Sequence, residues 1–125
     1  RIKEMSKILY VEDNEDNVYM LSRRLKRKGF DIVIATDGEM GVQMAETEKP
    51  DLILMDLSLP KMDGWTATKT IKSNENLKSI PIIALSAHAM DEHKQRAIES
   101  GCNDYDTKPV DIDRLLSKIN AQMKK

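Results

Sequence analysis

The 125-residue sequence has a single cysteine, Cys102, no excess of either charge and no long apolar run. A lone cysteine excludes an internal disulfide framework and a cysteine-based zinc cluster, and it fits a reducing compartment. Twenty basic side chains stand against 21 acidic ones, a net charge of −1. With no dense basic tract, this argues against a surface built for nucleic acid or acidic lipid. The segment RRLKRK, Arg23 to Lys28, reads as the solvated face and basic end of a helix, where cations suit the dipole. No signal peptide and no apolar stretch of about 18 residues is found, so a soluble, cytoplasmic chain that does not enter a membrane is expected. The length suits one domain over residues 1–125 with a real core. The chain opens on Arg1 rather than Met, which reads as a trimmed start or a cut from a longer protein.

What is present is an alternation of short apolar runs with amphipathic stretches. KILYV (Lys7 to Val11) precedes a helix in which Val18, Leu21 and Leu25 recur at helical spacing and Gly29 supplies the stop. DIVIA (Asp31 to Ala35) precedes a weaker helix from Gly38 to Thr47, with Asp37 as cap and Pro50 beyond its end. LILM (Leu52 to Met55) is apolar on both faces, as a central parallel strand should be. Asp63 can cap a helix from Gly64 to Lys72; PIIAL (Pro81 to Leu85) reads as a strand, and Met90 to Ser100 as a helix closed by Gly101. A fifth strand falls within NDYDT, Asn103 to Thr107. In the last helix Ile112, Leu115, Leu116, Ile119 and Met123 form one apolar stripe behind a capping Asp111. Five such alternations predict an α/β fold: a parallel sheet with right-handed crossovers and helices on both faces.

In open sheets of this kind, ligands bind beyond the carboxyl ends of the strands. Strand one is followed by Glu12 and Asp13, strand three by Asp56, strand four by Ser86 and strand five by Lys108. Three carboxylates, a hydroxyl and an ammonium are thus predicted to meet on one rim. Two carboxylates about 5 Å apart repel by roughly 3 kcal/mol at an effective dielectric near 20, so three need compensation. All-oxygen ligands favour Mg²⁺, which keeps waters and often completes its shell with phosphate oxygens. The pattern points to phosphoryl chemistry, with Asp56 as nucleophile.

YVEDN (Tyr10 to Asn14), LILMDLSLPKMDG (Leu52 to Gly64), ALSA (Ala84 to Ala87) and DYDTKPVD (Asp104 to Asp111) follow one another in register. In order and spacing they resemble the receiver domain of two-component response regulators. The resemblance covers nearly the whole chain and implies a flavodoxin-like (βα)5 three-layer sandwich with strand order 2-1-3-4-5. It implies that Asp56 accepts phosphate from a phosphohistidine on a histidine kinase or phosphotransfer protein, with a downstream protein effector reading the result. Asp13, Asp56 and the backbone carbonyl of Ser58 would bind Mg²⁺, with Glu12 acting through water. Ser86 and Lys108 would hold phosphoryl oxygens, Tyr105 would be the switch aromatic, and the Lys108–Pro109 bond would be cis. The readout face would surround Met90, Tyr105 and Ile112, and His88 would tune dephosphorylation. Such a domain assists its own phosphorylation without being a conventional enzyme.

Departures from the family pattern are the Glu12–Asp13 pair where many members have two aspartates, and Ser86 in place of threonine. Asp106 occupies a strand position that is usually apolar, which predicts a short or partly exposed edge strand. Cys102 reads as an inert small residue. A haloacid-dehalogenase-like aspartyl phosphatase would need an aspartate where Ser58 stands. A flavodoxin-like cofactor carrier would need a phosphate-cradling loop in place of the acidic EDNED. A degenerate receiver acting only as a docking module would not need Asp13, Asp56, Ser86 and Lys108 together.

Overall fold

The computed structural model describes residues 6–57, 59, 62–87 and 91–123, with residues 91–93 described by their backbone alone. Five strands, β1 (Lys7–Val11), β2 (Asp31–Ala35), β3 (Leu52–Asp56), β4 (Ile82–Ser86) and β5 (Asp104–Thr107), alternate with five helices. The helices are α1 (Glu15–Arg27), α2 (Gly38–Glu48), α3 (Gly64–Lys72), α4 (Asp91–Glu99) and α5 (Ile112–Met123). Every strand pairing is parallel and the order is β2-β1-β3-β4-β5. This is the flavodoxin-like (βα)5 arrangement.

The two-residue period of a strand explains the layers. On β3, Leu52 and Leu54 join Leu21 and Leu25 of α1 and Leu115 and Ile119 of α5. Ile53 and Met55 point the other way, into a cluster with Ala45 of α2, Ala67 and Ile71 of α3 and Ala97 of α4. Burying a Leu or Ile completely contributes about 2 kcal/mol, and all five β3 residues are buried. Sandwiched between layers, β3 therefore presents its last residue, Asp56, on a fixed rim.

Helix starts follow the predicted caps. Side-chain oxygens of Asp37, Asp63 and Asp111 accept from the backbone N–H groups of Met40, Thr66 and Arg114 at 2.8, 2.8 and 3.1 Å. Asn14 does the same for Asn17 at 2.9 Å. Gly29 and Gly101 sit at φ of +97° and +110°, a region open to glycine, and end α1 and α4 as expected. Among the described residues, no helix is long and apolar enough to cross a membrane.

Several boundaries differ from expectation. β3 runs one residue further and includes Asp56, while β4 begins at Ile82 and ends on Ser86. Pro81 has no N–H to donate and contributes only its carbonyl, which accepts from Ile53 N–H at 2.9 Å. α2 continues to Glu48, and α4 spans Asp91–Glu99; Met90 and His88 lie outside the described residues, as does Ser58. β5 is short, at four residues. Asp106 is not exposed, however: it is 4% accessible, with the Arg114 guanidinium 2.7 Å from its carboxylate. The sequence pattern signalled a weak edge, and an ion pair to α5 closes it.

Candidate functional site

The carboxyl ends of β1, β3 and β4 meet where the chain leaves the sheet. Glu12 follows β1 and is 1% accessible; Asp56 ends β3 and Ser86 ends β4, each 3% accessible, while Asp13 faces solvent. Carboxylate oxygens of Glu12, Asp13 and Asp56 all lie within 4.8 Å of one another. Lys108, three residues before the α5 cap Asp111, sends its ammonium into this group. Its Nζ is 2.9 Å from Glu12 Oε1 and 3.3 Å from Asp56 Oδ1. The Lys108 backbone N–H donates to the Ser86 carbonyl at 2.7 Å, tying the β5–α5 loop to β4. The Lys108–Pro109 bond is cis, as the resemblance implied.

Glu12 is held from three sides. The Tyr10 hydroxyl donates to its Oε1 at 3.3 Å, Lys108 donates to the same oxygen, and the Asn14 N–H donates to Oε2 at 3.2 Å. Burial pushes this carboxyl toward protonation, but hydrogen bonds with Lys108 and Asp56, the Lys108 charge and the Asn14 N–H outweigh it and hold Glu12 below the ordinary glutamate range. Lys108 shows the mirror image. Burial disfavours its charge, yet Glu12 and Asp56 raise its affinity for a proton above that of an ordinary lysine. Burial, the Glu12 charge and hydrogen bond, and Asp56 together push the Tyr10 phenol far above the usual tyrosine range, so it stays a donor.

The loop after Asp56 approaches closely because α3 begins with a glycine. A Cβ on Gly64 would fall 2.2 Å from the Asp56 carbonyl oxygen. Next to the rim, a cleft of about 350 Å³ opens between α1 and the β5–α5 loop, with Lys108, Pro109, Met20 and Arg24 in its wall.

Glu12, Asp13, Asp56 and Lys108 are thus brought together, with Ser86 buried at the end of the adjoining strand. Tyr105 stands apart in β5, its side chain buried in the cluster under α2, α3 and α4. Cys102 is buried beside Thr68, and burial pushes its thiol up to about 11, as suits an inert residue. Sequence reading missed the roles of Tyr10, Asn14 and Arg114. For Tyr10 a signal existed: it lies two residues before Glu12, so both side chains project from the same side of the chain.

This geometry agrees with what is known of other proteins. The family model of the response regulator receiver domain matches residues 8–120. The alkaline phosphatase synthesis transcriptional regulatory protein PhoP of Bacillus subtilis is 38% identical over 119 residues, covering 95% of this chain and 49% of PhoP. The polar-differentiation response regulator DivK of Brucella anthropi is 33% identical over 116 residues, covering 93% of this chain and 94% of DivK. The chain therefore spans about half the length of PhoP and nearly all of DivK. Among solved structures, the receiver domain of the sensor histidine kinase PA1611 of Pseudomonas aeruginosa superposes with a TM-score of 0.91 at 35% identity, covering 97% of this chain and 99% of that one. That structure carries a magnesium ion coordinated in its active-site cleft. From fold, rim and relatives together, the chain belongs to the response regulator receiver domain family of two-component systems.

Proposed function

We propose that Asp56 is the phosphoacceptor of a two-component phosphorelay, taking a phosphoryl group from a phosphohistidine on a histidine kinase or phosphotransfer protein. An Asp56 carboxylate oxygen attacks phosphorus as the P–N bond breaks. The electron pair leaves on the imidazole nitrogen, which takes a proton from solvent, and an aspartyl phosphate remains. The Lys108 ammonium, already between Glu12 and Asp56, neutralises charge on the transferred group, and the Ser86 hydroxyl holds another of its oxygens. Glu12, fixed by Tyr10, Asn14 and Lys108, stays ionised and orients water.

The observation that carries this reading is the charge balance of the rim. Three carboxyl groups within 4.8 Å face one ammonium, which leaves a formal −2 for a divalent cation to cancel. The donors are all oxygen, which suits Mg²⁺. Asp13 and Asp56 would hold it directly and Glu12 through water, with the Ser58 carbonyl, outside the described residues, as a further ligand. When bound, Mg²⁺ supplies positive charge against the phosphoryl oxygens. The magnesium in the PA1611 receiver supports the same choice.

Phosphorylation then biases the balance between two states of a partner-binding face formed by α4, β5 and α5, through Ser86 and Tyr105. Only contacts that differ between the states can do so, and couplings of about 1 to 3 kcal/mol are typical. The readout is a downstream protein effector; with a net charge of −1, the domain itself does not contact nucleic acid or membrane. It works in the cytoplasm as one domain over residues 1–125, as a signalling module and not a conventional enzyme.

Incubation with acetyl phosphate and Mg²⁺, followed by intact mass measurement, tests the reading. The parent gains one phosphoryl mass and Asp56→Asn gains none; equal gain by both would remove Asp56 as acceptor. Tyr105→Ala is expected to alter effector binding while sparing phosphorylation, and equal loss of both would count against the switch.

A further inference from the structure

The ion pair that buries Asp106 reaches further than charge compensation. Asp106 Oδ1 accepts from Arg114 Nε at 2.7 Å and from the Thr107 N–H at 2.8 Å. Arg114 Nη2 donates to the Thr107 carbonyl at 3.4 Å, and Nη1 lies 4.0 Å from Asp111 Oδ2. One guanidinium on α5 therefore holds the Asp106 carboxylate, which itself accepts from the Thr107 N–H, and the carbonyl of Thr107, the residue immediately before Lys108. It also lies near Asp111 at the cap of its own helix. A turn further along α5, Lys118 repeats the pattern with Asp104 at 3.4 Å and the Tyr105 carbonyl at 3.0 Å. Strand residues two apart are about 6.6 Å apart and helix residues four apart about 6 Å. The antiparallel β5–α5 pair can thus form a two-rung ladder, and the Arg114 rung lies at the site end.

We propose that Arg114 is a positioning residue for phosphoryl transfer: its clasp on Asp106 and Thr107 sets the direction in which Lys108 leaves β5, and so the placement of the ammonium on Glu12 and Asp56. The inference rests on the reading that Lys108 serves the transfer. A planar guanidinium fixes the relative directions of the carboxylate and the carbonyl that it holds, whereas an ammonium, as at Lys118, binds the same two kinds of group as a point charge without that constraint. Arg114 itself touches neither the acidic cluster nor Lys108 Nζ, so it acts only through the loop.

Four forms of the full chain separate this role from simple compensation of a buried charge: the parent, Arg114→Lys, the double variant Asp106→Leu with Arg114→Leu, and Lys108→Ala. For each, the melting temperature, the Mg²⁺ titration midpoint and the rate of Asp56 phosphorylation by acetyl phosphate at saturating Mg²⁺ are measured. In that reaction the Asp56 O–P bond forms as the P–O bond to acetate breaks, and acetate departs with the electron pair. Arg114→Lys and the double variant are expected to keep the parent's Mg²⁺ midpoint and to phosphorylate at least about tenfold more slowly, since misplacement of about 1 Å can cost a hundredfold. The double variant, which removes the buried charge together with its partner, is expected to melt no lower than the parent. A parent-like rate in the folded double variant, with Lys108→Ala slow, would overturn the clasp alone. A parent-like rate in Lys108→Ala would overturn the role of Lys108 and the clasp with it. Matched losses of rate and Mg²⁺ affinity would mark general loosening of the rim and also count against the proposal.

Discussion

Replacing Lys108 with alanine should make metal-free protein gain stability as pH falls from about 7.5 to about 5.5. Its Nζ lies 2.9 Å from Glu12 and 3.3 Å from Asp56. Without it, two nearly inaccessible carboxylates within 4.8 Å of each other repel by about 3 kcal/mol at an effective dielectric near 20. In the parent, Glu12 titrates below its ordinary value of 4.5. A depressed carboxyl contributes stability that is present above the unfolded value and lost as pH falls through the folded one, so this contribution is flat from about pH 7.5 to about 5.5. In Lys108→Ala the repulsion pushes one carboxyl up instead. The native state then binds more protons than the unfolded chain, and stability must rise as pH falls. Protonating one group relieves most of the repulsion, so a gain of about 2 kcal/mol is expected across that window. Urea unfolding in chelator at both pH values measures it. Added Mg²⁺ should abolish the difference, because it neutralises the same pair, and should bind the variant more tightly than the parent. A variant whose stability is flat or falls with acidification would refute the electrostatic account of the rim.

Asp13→Ala should weaken Mg²⁺ binding more than about tenfold with little change in metal-free melting, since Asp13 is exposed; titration calorimetry with an unchanged affinity would take Asp13 out of the site. Tyr10→Phe removes a donor from a buried carboxylate and should cost about 2 kcal/mol in urea unfolding; no change would mean that the 3.3 Å contact contributes nothing. Gly64→Ala, whose new Cβ would meet the Asp56 carbonyl at 2.2 Å, should cost about 3 kcal/mol and slow phosphorylation; a variant as stable and as fast as the parent would show that the loop relaxes freely.

Much of the rim was legible in the sequence because a parallel α/β sheet leaves little choice. A strand buried on both faces must be apolar throughout, so the Leu52–Met55 run located β3 and the polar residue after it located the rim. Capping by Asp37, Asp63 and Asp111 was equally local, which is why those helix starts agree. What could not be read were interactions set by the packing of distant segments. Asp106 looked like a weakness of β5 because the compensating charge, Arg114, is eight residues away on another element. Tyr10 looked like one more apolar strand residue, and only its neighbour Glu12 turns its hydroxyl into part of the site. The boundary of β4 slipped because Pro81 joins the sheet by its carbonyl alone.

The most direct test of the account is to identify the modified residue. The chain is treated with acetyl phosphate and Mg²⁺, trapped with borohydride, which reduces an acyl phosphate to the alcohol, and mapped by peptide mass spectrometry. Conversion of Asp56 to homoserine, dependent on Mg²⁺ and absent at every other carboxyl, is the predicted result. Reduction at Glu12 or Asp13 instead, or an Asp56 signal of equal size without the metal, would contradict it.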